Sequence, residues 1–141
     1  MRKTIASVLL AFYMLVLFDL TLRRFHQPGT ALNLWPFATI SHYLSIGGRA
    51  MMVNILGNVA AFLPLGFLLP SFVKGRGAAL RVALISLALS LLVESLQYLS
   101  GRRTADVDDL ILNTLGGLLG YALSKGWRRI GGRSPLTQPA R

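Results

Sequence analysis

The chain has 141 residues, enough for one domain, yet 53% of them are hydrophobic, only 14% are charged, and the mean hydropathy is +0.56. Soluble domains carry about 25% charged residues, so a water-soluble globular protein is the first class to go. The net charge of +10 would suggest nucleic acid in a polar chain; in one this apolar it points to a bilayer with basic residues at its edges, and to no nucleic-acid partner.

Four apolar stretches follow one another, at about 4–22, 53–73, 80–100 and 107–125. Each is close to the ~20 residues that a helix needs to cross the hydrocarbon core. The first follows Arg2-Lys3 as a signal peptide would, but it ends in Asp19 and Arg23-Arg24 with no small-residue cleavage site, and reads as a retained helix. The second contains Pro64 and Pro70, which are tolerated where neighbouring helices satisfy the freed backbone groups; a kink is expected near Pro64. Residues 126–141, rich in Gly and Arg, read as a disordered basic cytoplasmic tail. The fold class expected is all-α: an integral membrane four-helix transmembrane bundle over residues 1–125.

Orientation follows from Lys and Arg placement. Arg2, Lys3, Lys74, Arg76, Arg81, Lys125, Arg128, Arg129, Arg133 and Arg141 fall on one side of this topology. Arg23, Arg24, Arg49, Arg102 and Arg103, half as many, fall on the other. Both termini should therefore be cytoplasmic, with loops 23–52 and 101–106 outside, in the multi-pass arrangement of a bacterial cell-membrane protein.

The informative residues are polar ones within the apolar stretches. Ser86, Ser90, Glu94 and Gln97 share one face of the third helix at spacings of four, four and three. Glu94 would lie ~9 Å below the outer surface, where an acid costs about 2–3 kcal/mol to insert and faces a bundle interior or wet cavity. Asn54 and Asn58 on the second helix, and Asp109 and Asn113 on the fourth, stand at i and i+4 at matching depth. Four of the five acids, Glu94, Asp106, Asp108 and Asp109, crowd into the outer ends of the third and fourth helices. Each has a structural alternative. Asp106 or Asp108 suits the N-cap of the fourth helix, the asparagines suit interhelical hydrogen bonding, and Gly116, Gly117 and Gly120 suit close packing. An echo of Asn54-Ile-Leu-Gly57 in Asn113-Thr-Leu-Gly116 would fit a duplicated hairpin or chance. His26 and His42 have neither an i+4 partner nor a nearby acid, and give no metal site.

Taken in order, Leu32-Asn33-Leu34-Trp35-Pro36-Phe37, Asn54-x-x-Gly57-Asn58 with Phe62, Pro64 and Gly66, Glu94-x-x-Gln97 with Gly101-Arg102, Asp106-x-Asp108-Asp109, and Asn113-x-x-Gly116 with Gly120 resemble the VanZ-like family. The likeness covers roughly residues 30–123. The family is named for a teicoplanin-resistance protein of Gram-positive bacteria, and the resemblance implies a small bacterial membrane protein that binds or acts on something at the outer face of the membrane.

Three functions fit these residues. In the first, the outer-leaflet cluster binds a lipid headgroup or cell-envelope precursor: Arg102 and Arg103, with Arg49, engage phosphate or carboxylate, Asn54, Asn58, Gln97 and Asn113 supply neutral hydrogen bonds, and Glu94 pairs with Arg102 in the empty site. In the second, an intramembrane enzyme uses Glu94 as general acid or base on a lipid-linked phosphate, with Asp106, Asp108 and Asp109 available to Mg²⁺. No other cofactor is expected, no nucleophile motif accompanies these residues, and the chain has no cysteine. The third is a membrane scaffold or chaperone that uses the glycine face. A homodimer sealing the thin four-helix shell fits any of them. Single cysteines at positions 45 and 104 should label from outside the cell, and those at 76 and 135 only after permeabilisation; labelling of 104 from the cytoplasm would overturn the topology.

Overall fold

A computed structural model describes residues 2–23, 32–99 and 105–131. Helix α1 spans Arg2–Arg23. After a short extended segment, β1 (Leu32–Asn33), comes α2 (Ala38–Ile46). The chain is then helical from Gly48 to Ser71: α3 (Gly48–Met51), a π-helical turn over Met52–Leu56, α4 (Gly57–Leu68) and a 3-10 turn over Leu69–Ser71. Helix α5 is Ala78–Leu99, and α6, Val107–Gly131, follows the extended pair β2 (Ala105–Asp106).

Four long helical segments thus stand at the four apolar stretches, with differences at their ends. The second begins at Gly48 rather than 53, and part of the preceding expected loop is α2. Helix α6 runs to Gly131, past the expected end at 125, with Arg128 and Arg129 in its last turn, where cations complement the helix dipole. The rest of the expected tail, residues 132–141, lies outside the described residues. The fold is not purely helical: β1 pairs in parallel with β2, Leu32 beside Ala105 and Asn33 beside Asp106. Pro64 lies inside a continuous α4.

Helix α6 packs most extensively on α4 and next on α5, while α1 touches both α4 and α5. The α4–α6 contact is a backbone-to-backbone approach. A Cβ at Gly116 would collide with the Val59 carbonyl, and one at Gly120 with the Leu63 carbonyl and the Phe67 amide. Such approaches are how helices associate in lipid, where apolar contact brings no gain over contact with acyl chains. The glycine face proposed for scaffolding is therefore spent within the chain. Helix α1 adds a polar tie, the Tyr13 hydroxyl donating to the Ala61 carbonyl at 2.7 Å.

Burial combines an apolar cluster of Leu17, Phe62, Leu65, Leu69 and Val82 with a polar interior strip. Ser86, Ser90, Glu94, Gln97, Asp108, Asp109 and Asn113 are buried, whereas Leu15, Leu80 and Leu99 are 63–79% exposed. Water would reject that surface and lipid would accept it. Among the described residues, two helical segments, Gly48–Ser71 and Ala78–Leu99, are long and apolar enough to cross a membrane.

Gly120→Val should destabilise the protein by about 1–3 kcal/mol, the usual range for overpacking. Gly126→Ala, where an added Cβ meets nothing within 4 Å, should cause no loss. Unfolding midpoints in mixed micelles compare the two, and equal midpoints would contradict the close α4–α6 contact.

Candidate functional site

The site grows from the α5 face that carries Ser86, Ser90, Glu94 and Gln97, all of them buried. Helix α6 lies against it. Ser86 sits beside Gly117 so closely that a Cβ there would strike its hydroxyl. One turn on, the Asn113 side-chain amide donates to the Ser90 hydroxyl at 2.9 Å. Farther along, Glu94 accepts the Asp106 backbone N–H at 3.2 Å.

The three aspartates have different tasks. Asp106 precedes the first residue of α6 and accepts the Asp108 N–H at 2.9 Å, which makes it the N-cap. Its other oxygen accepts the Asn33 amide at 3.2 Å and the Thr39 hydroxyl. Asp108, fully buried, caps a different helix: its carboxylate accepts the N–H groups of Phe37 at 2.6 Å and Ile40 at 3.0 Å, at the start of α2. Asp109 reaches the other way and accepts the Asn58 side-chain amide on α4.

Asp108 does what the local sequence at α2 cannot. The residue before that helix is Phe37, which offers no capping oxygen and has a left-handed backbone with φ 66°. Such a conformation costs a non-glycine residue about 1–2 kcal/mol, and the charge-assisted bonds from Asp108 offset it. Asn33 contributes from the same segment, its side-chain oxygen accepting the Trp35 N–H at 3.3 Å. Two aspartates and one short backbone pairing thus fasten residues 32–40 onto the start of α6.

Between that segment and the C-terminal end of α5 lies a cavity of about 390 Å³. Leu32, Leu34, Leu91, Leu99, Val107 and Leu110 form its apolar walls, and Glu94, Ser95, Tyr98 and Asp106 its polar positions. This combination, a mostly apolar cleft with a few converging polar groups, is what small-molecule and lipid sites share.

The structure brings together Asn58, Glu94, Asp106, Asp108, Asp109 and Asn113 of the expected site, with Gln97 buried on the same face of α5. Asn54 bonds within its own helix, donating to the Ala50 carbonyl at 2.8 Å. Arg49 is exposed in α3. Arg102 and Arg103, and with them the expected Glu94–Arg102 pair, lie outside the described residues. Three participants went unassigned in the sequence: Asn33, Thr39 and the backbone amides that open α2. A polar Asn33 within an apolar motif was the available signal.

Among the described residues, no group of three or more acid or histidine side chains is placed to hold a metal ion. The Asp106 and Asp108 oxygens that would face Mg²⁺ are met by N–H and O–H donors. They act here as acceptors that organise the backbone.

A sequence profile of the VanZ/LLP1 family matches residues 10–128. Protein VanZ of Enterococcus faecium is 34% identical over 131 residues, an alignment covering 87% of this chain and 75% of that protein. No solved structure matches the chain. The match spans every element of the site described above, and the chain belongs to the VanZ/LLP1 family.

Proposed function

We propose that this chain is a multi-pass protein of the bacterial cell membrane, its four long helices spanning the bilayer with both termini cytoplasmic. Its role is to bind a lipid headgroup or lipid-linked cell-envelope precursor at the outer ends of α5 and α6. Family membership and likeness to Protein VanZ support a link to glycopeptide susceptibility, through a ligand held at the outer face. The exposed Trp35 beside the site and Trp127 near the far end of α6 suit the two interfaces where tryptophan collects.

The observation that carries the reading is the cavity of about 390 Å³ lined by leucines together with Glu94 and Asp106. Leu91, Leu99 and Leu34, between 54% and 79% exposed, would continue an acyl or polyprenyl chain into the surrounding lipid. Arg102 and Arg103 stand in the sequence between Leu99 and Ala105, both residues of the cavity wall. Their guanidinium groups would meet a phosphate or carboxylate in bidentate fashion, and Glu94 would orient them.

The test is binding of a long-chain polyprenyl phosphate to the purified protein in phosphatidylcholine nanodiscs. Leu110→Trp, which fills the cavity, should abolish binding. Arg102→Ala should weaken it about tenfold or more, in keeping with ~1.5–3 kcal/mol for a charged hydrogen bond, and Arg102→Lys nearly as much. Glu94→Gln should weaken it less. Cleavage of the probe by wild type but not by Glu94→Gln would replace this reading with an intramembrane enzyme. Unchanged binding by Leu110→Trp would remove the cavity from the account.

A further inference from the structure

The end of the helices opposite the carboxylates carries a second cavity, of about 300 Å³, between the turn after α4, the start of α5 and the last part of α6. Its walls are apolar at Pro70, Val73 and Ala78, and cationic at Lys74, Lys125 and Arg128. Three cations thus reach one hollow from two parts of the chain, Lys125 and Arg128 from one face of α6 at i and i+3. No acid lines it.

One of these cations is already oriented. The Arg128 guanidinium donates to the Ser71 hydroxyl at 3.2 Å, which ties one of its five N–H groups down beside the cavity. Arg81 is engaged elsewhere: its guanidinium donates to the Lys74 carbonyl at 3.2 Å and the Arg76 carbonyl at 2.9 Å, bracing the turn that presents Lys74. Two exposed aromatic residues, Phe72 and Trp127, flank the cavity in sequence and would lie along acyl chains at the interface.

The geometry points to a binding site for the phosphate of an anionic phospholipid, held by Lys74, Lys125 and Arg128 in the leaflet opposite the Glu94 site. The three cations more than neutralise a singly charged phosphodiester, and the Pro70–Val73–Ala78 wall accepts the glycerol and first methylenes. Basic hollows between helix ends are suited to such headgroups because attraction adds to burial of the chain. The inference uses the membrane-spanning reading but not the ligand of the outer site, so either can fail alone.

The test compares two double variants that remove equal charge from the same end of the molecule. Lys125→Gln/Arg128→Gln empties the cavity of two cations; Arg76→Gln/Arg129→Gln removes two that do not line it. Protein in phosphatidylcholine nanodiscs is titrated with phosphatidylglycerol and bound lipid is counted by native mass spectrometry. The cavity variant should bind phosphatidylglycerol roughly tenfold or more weakly, and the control variant within about twofold of wild type. Equal losses in both variants, or equal retention of phosphatidylcholine and phosphatidylglycerol by wild type, would overturn the site. Competition with inorganic phosphate separates the sources. Persistence of the lipid in millimolar phosphate is the result expected, and its displacement would reassign the site to a soluble phosphate.

Discussion

The arrangement of the end that carries the aspartates depends on one constraint: a carboxylate buried in an apolar medium must have its oxygens met by donors. Asp108 is fully buried and has its two oxygens on the Phe37 and Ile40 amides. Those amides are among the N–H groups that α2 cannot satisfy internally at its start, so acid and helix each supply what the other lacks. The consequence reaches the cavity. By fixing α2, Asp108 holds Leu32 and Leu34 of the preceding segment opposite α5, where they form one wall. Asp106 reinforces this by capping α6 while gripping Asn33 and Thr39.

Helix α6 consequently serves two neighbours with two chemistries. Toward α4 it presents Gly116 and Gly120 and gains from backbone contact. Toward α5 it presents Asn113 to Ser90 and Gly117 to Ser86. In water such a molecule would be poorly built, since polar groups share its interior with one apolar cluster while leucines cover much of its outside. In lipid the balance reverses: the leucines are already solvated by chains, and the polar atoms gain from leaving them.

Much of this was legible in the residue order. Spacing put Ser86, Ser90, Glu94 and Gln97 on one face, and that face is buried. The glycines of the last helix read as packing surface and are used so. Asp106 and Asp108 both read as possible N-caps, because an acid before an apolar helical run has a local partner, and Asp106 is the one that caps. What could not be read was the long-range use of Asp108, whose amide partners lie about seventy positions away in sequence. No periodicity encodes that distance. Phe37 also gives no hint of a helix start, because its helix borrows a cap from elsewhere. The two Asn-x-x-Gly copies illustrate the opposite hazard. Asn113 bonds across to α5 and Gly116 makes a close crossing, whereas Asn54 bonds within its own helix and Gly57 has room for a Cβ. Similar spelling accompanies different work.

Charge is divided along the length of the molecule in the same spirit. The acids of α5 and α6 gather at one end as organising acceptors, and Lys74, Lys125 and Arg128 gather at the other around an open hollow. Along α6 the 16 residues from Asp109 to Lys125 separate the two by ~24 Å, within the ~30 Å hydrocarbon thickness of a bilayer. Whether the carboxylates build the cavity wall is decided most directly by hydrogen exchange at the Phe37 and Ile40 amides in lipid nanodiscs. Slow exchange in wild type, at least tenfold faster exchange at both amides in Asp108→Ala, and unchanged protection in α4 would support the account. Equal exchange at Phe37 and Ile40 in wild type and Asp108→Ala would contradict it.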